Sequence, residues 1–131
     1  MRKRRIGVFH KNNRNWFRNI TRHDHGDYDF LRYYDVCRVL NAVKRRISGS
    51  SSFLKHTRIS PSFPRVDLFH HWRQVDFGSK PWVVSTSTGL PFGWPRERYH
   101  RGMSLLASGA CKRIIVTGQC ALEWQRTKAE W

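Results

Sequence analysis

Apolar residues along this chain fall into short runs separated by polar, Gly- and Pro-containing stretches, a pattern that predicts alternating strands and helices. The run from about Arg5 to His10 has strand length and a basic flank, and predicts a first strand. The following stretch, 10–26, is rich in Asn and Arg, with Trp16, Phe17 and Ile20 as its large apolar residues, and reads as a long loop of the functional or mobile kind. From Asp27 to Ile47 the residues Phe30, Tyr33, Tyr34, Cys37, Leu40, Val43 and Ile47 recur at spacings of three and four, which predicts an amphipathic helix. Asp27 and Asp29 near its start and Lys44, Arg45 and Arg46 near its end complement a helix dipole.

Ser48-Gly49-Ser50-Ser51-Ser52 ends that pattern and opens a polar, Pro-interrupted stretch to about Pro64, expected to be a mobile connection. Two strand-length runs follow, Val66 to His70 and Trp82 to Thr86, and a third is Arg113 to Thr117. Between the second and third, Arg96 to Ser108 predicts a helix, with Pro95 at its first turn, Gly109 past its end, and Tyr99, Met103, Leu106 and Ala107 on one face. Gln119 to Glu130 reads as a last helix with Leu122 turned inward. The order strand, helix, strand, strand, helix, strand, helix favours an α/β fold with a largely parallel sheet flanked by helices. Ligands of such sheets sit at the carboxyl ends of strands, which directs attention to 10–15, 70–75, 85–94 and 117–120.

At 131 residues, one domain is expected, and 39% hydrophobic with 14% aromatic residues supplies a core and excludes a wholly disordered chain. The charge is +16, from 25 Lys+Arg against 9 Asp+Glu, which calls for an anionic partner such as phosphate on nucleic acid, lipid headgroups or a nucleotide sugar. No stretch approaches the ~18 consecutive apolar residues of a spanning helix. Cys37, Cys111 and Cys120 form no C-x-x-C pair and leave an odd thiol, which suits a reducing compartment. A cytoplasmic location is therefore expected, with peripheral attachment to a membrane as its extension.

Three segments carry candidate chemistry. His70-His71-Trp72 ends a predicted strand with two adjacent imidazoles able to orient a hydroxyl or accept a proton. Adjacent strand residues face opposite ways, so the pair is a poor chelate, and with no zinc-type spacing anywhere no metal site is expected. Ser85-Thr86-Ser87-Thr88-Gly89, leading into Leu90-Pro91-Phe92-Gly93-Trp94, offers hydroxyls and backbone N–H groups to phosphate or sugar oxygens. It lacks the P-loop spacing, and G-x-G-x-x-G and G-x-S-x-G are absent too, which removes the main support for P-loop ATPases, NAD-dependent dehydrogenases and α/β-hydrolases. Arg14, Arg18 and Arg22, with Arg2 to Arg5 and interleaved Phe9, Trp16 and Phe17, form a candidate anion-binding surface for nucleic acid or an anionic membrane. Each segment also has a plain reading, as a packed histidine, a strand-to-helix turn and a solvated basic tail.

Taken together, Val66-Asp67-Leu68-Phe69-His70-His71, Lys80-Pro81-Trp82-Val83-Val84-Ser85-Thr86 and Cys111 to Ala121 resemble, in order and spacing, three strand motifs of the amino-terminal half of GT-B glycosyltransferases of the group 1, family 4 type. The resemblance covers Arg65 to Trp124. It departs from the family at His10 to Arg14, where a Gly-rich turn is usual, and at Gly118, where a Ser is usual. The resemblance implies a Rossmann-like acceptor domain, half of a GT-B architecture, with His70 catalytic and nearest the transferred sugar. It implies an acceptor side made of His71, Ser85, Thr86, Ser87, Thr88 and Gly89. Its implied partners are a sugar acceptor and a nucleotide sugar, the latter held by a donor domain that would lie beyond Trp131, so that these residues alone would turn over little or nothing. No resident cofactor is implied. The alternative reading is a basic nucleic-acid-binding module.

Overall fold

The computed structural model of the chain describes residues 2–9, 26–50, 53–62, 65–119, 122–123 and 126. Five strands form one sheet: β1 (Arg4–Phe9), β2 (Tyr28–Tyr33), β4 (Leu68–Trp72), β6 (Trp82–Thr86) and β7 (Cys111–Val116). Their order is β2-β1-β4-β6-β7, and every pairing is parallel. Two short strands, β3 (Thr57–Arg58) and β5 (Val75–Asp76), pair in parallel as a separate small sheet. The helices are α1 (Val36–Ser48) and α2 (Tyr99–Leu106), the latter entered through a 3-10 turn at Arg96–Arg98. This is an α/β fold with a parallel sheet flanked by helices, consistent with a Rossmann-like fold. The strand order reverses direction between β1 and β4, the place where a doubly wound sheet opens a crevice at its carboxyl edge.

The chain from Asp27 does not become a helix at once. Tyr28–Tyr33 is a strand paired residue for residue with Arg4–Phe9, and the helix begins only at Val36. The aromatic side chains of YDFLRY favour a pleated surface, and their alternation serves both sides: Leu31 and Tyr33 pack on the main core, Phe30 on a smaller cluster with Val8 and Trp72. Phe30, Tyr33 and Tyr34 fit a helical spacing only by coincidence with this alternation. Asp27 and Asp29 are accordingly not helix-start residues. That role belongs to Asp35, whose Oδ1 accepts from the Arg38 N–H at 3.1 Å, and Gly49, with φ of 70°, closes the other end by donating its N–H to Arg45 O.

The connection expected over 48–64 also holds structure, a 3-10 turn at Phe53–His56 and the strand β3. The strands expected at 66–70 and 113–117 lie two residues later and two earlier at their starts, as β4 and β7. The loop expected over 10–26 lies, but for Gly26, outside the described residues, as does most of the helix expected over 119–130.

The core lies on one side of the sheet, where Phe9, Phe69, Trp82 and Val84 meet Leu90, Trp94 and Leu106 of the α2 layer. Gly7 is required at its position: a Cβ there would stand 2.5 Å from the Phe69 ring, which lies across the strand from it. Asp35 joins the layers, because its Oδ2 pairs at 2.8 Å with the Arg58 guanidinium, both side chains being 8% exposed. Removing one partner of a buried pair leaves an uncompensated charge. Asp35→Ala is expected to lower stability by about 2–4 kcal/mol, combining the lost cap with the stranded Arg58, measured by urea unfolding.

Candidate functional site at the carboxyl ends of β4 and β6

The central strand β4 alternates its side chains between environments of different character. Phe69 and His71 turn toward the main core, and Trp72 joins the Val8 cluster on the other side, with His70 opposite His71. His71 is fully buried, its ring stacked on Phe69 and Phe9 at centroid distances of 6.1 and 5.6 Å. Its Nε2 lies 2.8 Å from Asp76 Oδ2, while Nδ1 is buried without a hydrogen-bond partner. Burial pushes the His71 imidazole below its ordinary value despite the carboxylate, so the ring is neutral near pH 7 and donates from Nε2. Burial by itself would raise Asp76, but the hydrogen bonds from His71, from Ser60 and from the Gly78 N–H outweigh it and hold that carboxyl low. His71 therefore belongs to the framework: it has no surface to offer an acceptor.

His70 stands in different surroundings. Its Nε2 is 2.7 Å from Ser85 Oγ on the neighbouring strand, so the structure brings together two of the residues singled out in the sequence. Burial first, and His71 beside it second, press its pKa down to about 4, which keeps the ring uncharged near neutrality. Thr86 is fully buried and caps its own turn, its Oγ1 accepting from the Thr88 N–H at 3.0 Å and donating to Thr88 O at 2.6 Å. It shapes the loop and cannot face a ligand. Ser87, Thr88 and Gly89 are half-buried and reach solvent beyond it.

The residue that sequence reasoning missed is Arg73. It follows β4 directly, with φ of 58°, a left-handed conformation uncommon outside glycine, and its N–H donates to Ser85 O at 2.9 Å. That geometry turns the guanidinium over the loop after β6. There it hydrogen-bonds Ser87 Oγ and lies 5.5 Å from the Trp72 ring and 5.4 Å from the Phe92 ring. Phe92 is 36% exposed and stands edge-on to His56. The sequence signal was position alone: Arg73 falls within the stretch 70–75 past the strand expected at Val66 to His70, and directly follows the observed β4.

The arrangement at this edge is a delocalised cation set between two aromatic faces, with the hydroxyl of Ser87 bonded to it and Thr88 next along the loop. It suits a ligand carrying hydroxyl or phosphate oxygens on an apolar ring face. Arg14, Arg18 and Arg22 lie outside the described residues, so the anion-binding surface assigned to them has no described geometry. Among the described residues no group of three or more His, Cys, Asp or Glu is placed to hold a metal ion, and no helix is long and apolar enough to cross a membrane.

The histidines make stability depend on pH. A histidine whose folded pKa is depressed takes up a proton in the unfolded chain first, so stability falls as pH drops from the unfolded value of 6.5 toward about 4. Urea unfolding at pH ~7 and ~4.5 is expected to show a loss on the order of 2 kcal/mol. His70→Gln is expected to flatten part of that slope, His71 supplying the rest.

Comparison of the chain with protein-family models, with curated proteins and with solved structures finds no match.

Proposed function

We propose that this chain forms the acceptor-side half of a nucleotide-sugar-dependent glycosyltransferase of the GT-B kind, its acceptor lying at the carboxyl ends of β4 and β6. The observation that carries this reading is the adjacency of β4, β6 and β7. The three sequence segments that resemble the family are consecutive, parallel and hydrogen-bonded neighbours in one sheet. The first of them, β4, borders the switch point between β1 and β4, where sheets of this order take ligands, and β6 is its next neighbour.

In this reading the residues divide the work as follows. Arg73 and the hydroxyls of Ser87 and Thr88, with Gly89 beside them, receive the polar oxygens of the acceptor, and Phe92 offers a ring face to its apolar side. His70, neutral and hydrogen-bonded to Ser85, is the imidazole nearest the transferred sugar and holds an acceptor hydroxyl by hydrogen bonding. The nucleotide sugar is held by a second domain.

The reading is tested by saturation-transfer NMR of the 131-residue chain against neutral and phosphorylated mono- and disaccharides. Saccharide signals are expected, weakened by about tenfold in affinity in Arg73→Ala, equivalent to ~1.4 kcal/mol, with no sugar transfer from nucleotide sugars by the chain alone. Transfer by the isolated chain would overturn the division of labour. Absence of saccharide binding, together with single-stranded nucleic-acid binding that weakens steeply with salt, would replace it with the nucleic-acid reading.

A further inference from the structure

Helix α1 carries its apolar residues on the side turned away from the protein. At about 100° per residue, Val36, Val39, Leu40, Val43 and Ile47 fall in one stripe roughly 100° wide, the pattern of a buried helix face. Yet these side chains are 47% to 83% exposed, Ile47 most of all. The helix rests on 53–58 through Cys37, which is fully buried and lies to the side of the stripe. Five neighbouring apolar side chains in water form a patch that normally marks a contact surface.

The charges around the stripe point to what covers it. The helix contains no acidic residue, and Asp35 at its cap is engaged by Arg58. On the helical wheel, Arg46 lies along one edge of the stripe and Lys44 along the other, each with an aliphatic stem long enough to lie beside apolar material while the charge stays wet. On the Arg46 side, Arg38, Ala42 and Arg46 join Val39 and Val43 in lining an open groove of ≈ 660 Å³, wide enough for a headgroup. Tyr34, 82% exposed just before the helix, adds an aromatic ring of the kind found at membrane interfaces. Thirteen residues span only about 20 Å, so this helix is suited to lying in an interface and not to crossing it.

From this we infer that α1 is an in-plane docking helix for an anionic phospholipid surface, with Val39, Val43 and Ile47 entering the acyl boundary and Lys44 and Arg46 meeting lipid phosphates. A cationic rim on an apolar stripe matches an anionic surface over an apolar interior, and the net charge of +16 adds long-range attraction. This inference does not rest on the glycosyltransferase reading.

A chain of this charge is attracted to anionic vesicles wherever its cations lie, so the test changes the stripe without changing charge. The 131-residue chain and Val39→Ser/Val43→Ser are floated with vesicles of phosphatidylcholine and phosphatidylglycerol in 0.15 M NaCl, with phosphatidylcholine vesicles as the reference. Wild-type chain is expected to float with the anionic vesicles, and the double variant to partition at least tenfold less while keeping the wild-type circular dichroism. Ile47→Ser, in the last turn, is expected to lose partitioning in the same direction and serves if the double variant misfolds. Equal partitioning of wild type and stripe variants would overturn the inference, because charge elsewhere would then do the binding. So would a wild-type chain that ignores anionic vesicles, or one that sediments as a dimer which the serine variants dissociate, since a second copy would then cover the stripe.

Discussion

The fold turns on the buried contact between His71 and Asp76. His71 is in the middle of the large sheet and Asp76 in the small one, so one hydrogen bond ties the two sheets across the core. Asp76 is held from several directions at once, by the His71 ring, by the Ser60 hydroxyl and N–H, and by the Gly78 N–H. Full coordination of this kind is what allows a carboxylate to remain charged away from water. From β3, beside Asp76, Arg58 reaches Asp35 at the start of α1, and the polar chain extends to the helix. The aromatic rings of Phe9, Phe69 and Trp82 surround His71 and exclude water from this contact.

That anchoring fixes the end of β4 and therefore the candidate site. With His71 locked on one side and His70 bonded to Ser85 on the other, the strand has no freedom to rotate where it ends. Arg73 can then be held in a left-handed conformation, a state that persists only where the surroundings over-determine it. Its backbone is tied to Ser85 and its side chain to Ser87, so both ends of the residue belong to the β6 side. Rigid placement of this sort is what a binding edge requires, because a guanidinium already ordered loses less entropy when a ligand arrives.

The basic character of the molecule has a structural counterpart in its acids. Asp35 caps α1 and pairs with Arg58, Asp67 accepts the Arg5 N–H at 2.8 Å, and Asp76 bridges the sheets. Of these, only Asp35 is paired with a permanent cation, Arg58, while Asp67 and Asp76 accept hydrogen bonds within the framework. The excess of 25 Lys+Arg over 9 Asp+Glu acts on whatever approaches, while the exposed stripe of α1 gives one face of the helix an apolar character that charge alone would not.

The class of fold is legible in the sequence, because the parallel strands read as short, mostly apolar runs of strand length: Val66 to His70, Trp82 to Thr86 and Arg113 to Thr117 mark β4, β6 and β7 within two residues of their observed starts. The sequence also marked α2, through Pro95 before it and Gly109 after it. It misread Tyr28–Tyr33, because a residue's own spacing cannot tell alternation from helical recurrence over six positions, whereas pairing with β1 can. Which of two adjacent histidines faces the core, that Arg73 turns back over Ser87, and that α1 presents its apolar stripe outward were decided only by the tertiary structure. Each depends on what lies across the sheet or beside the helix, at separations in sequence that local pattern does not encode.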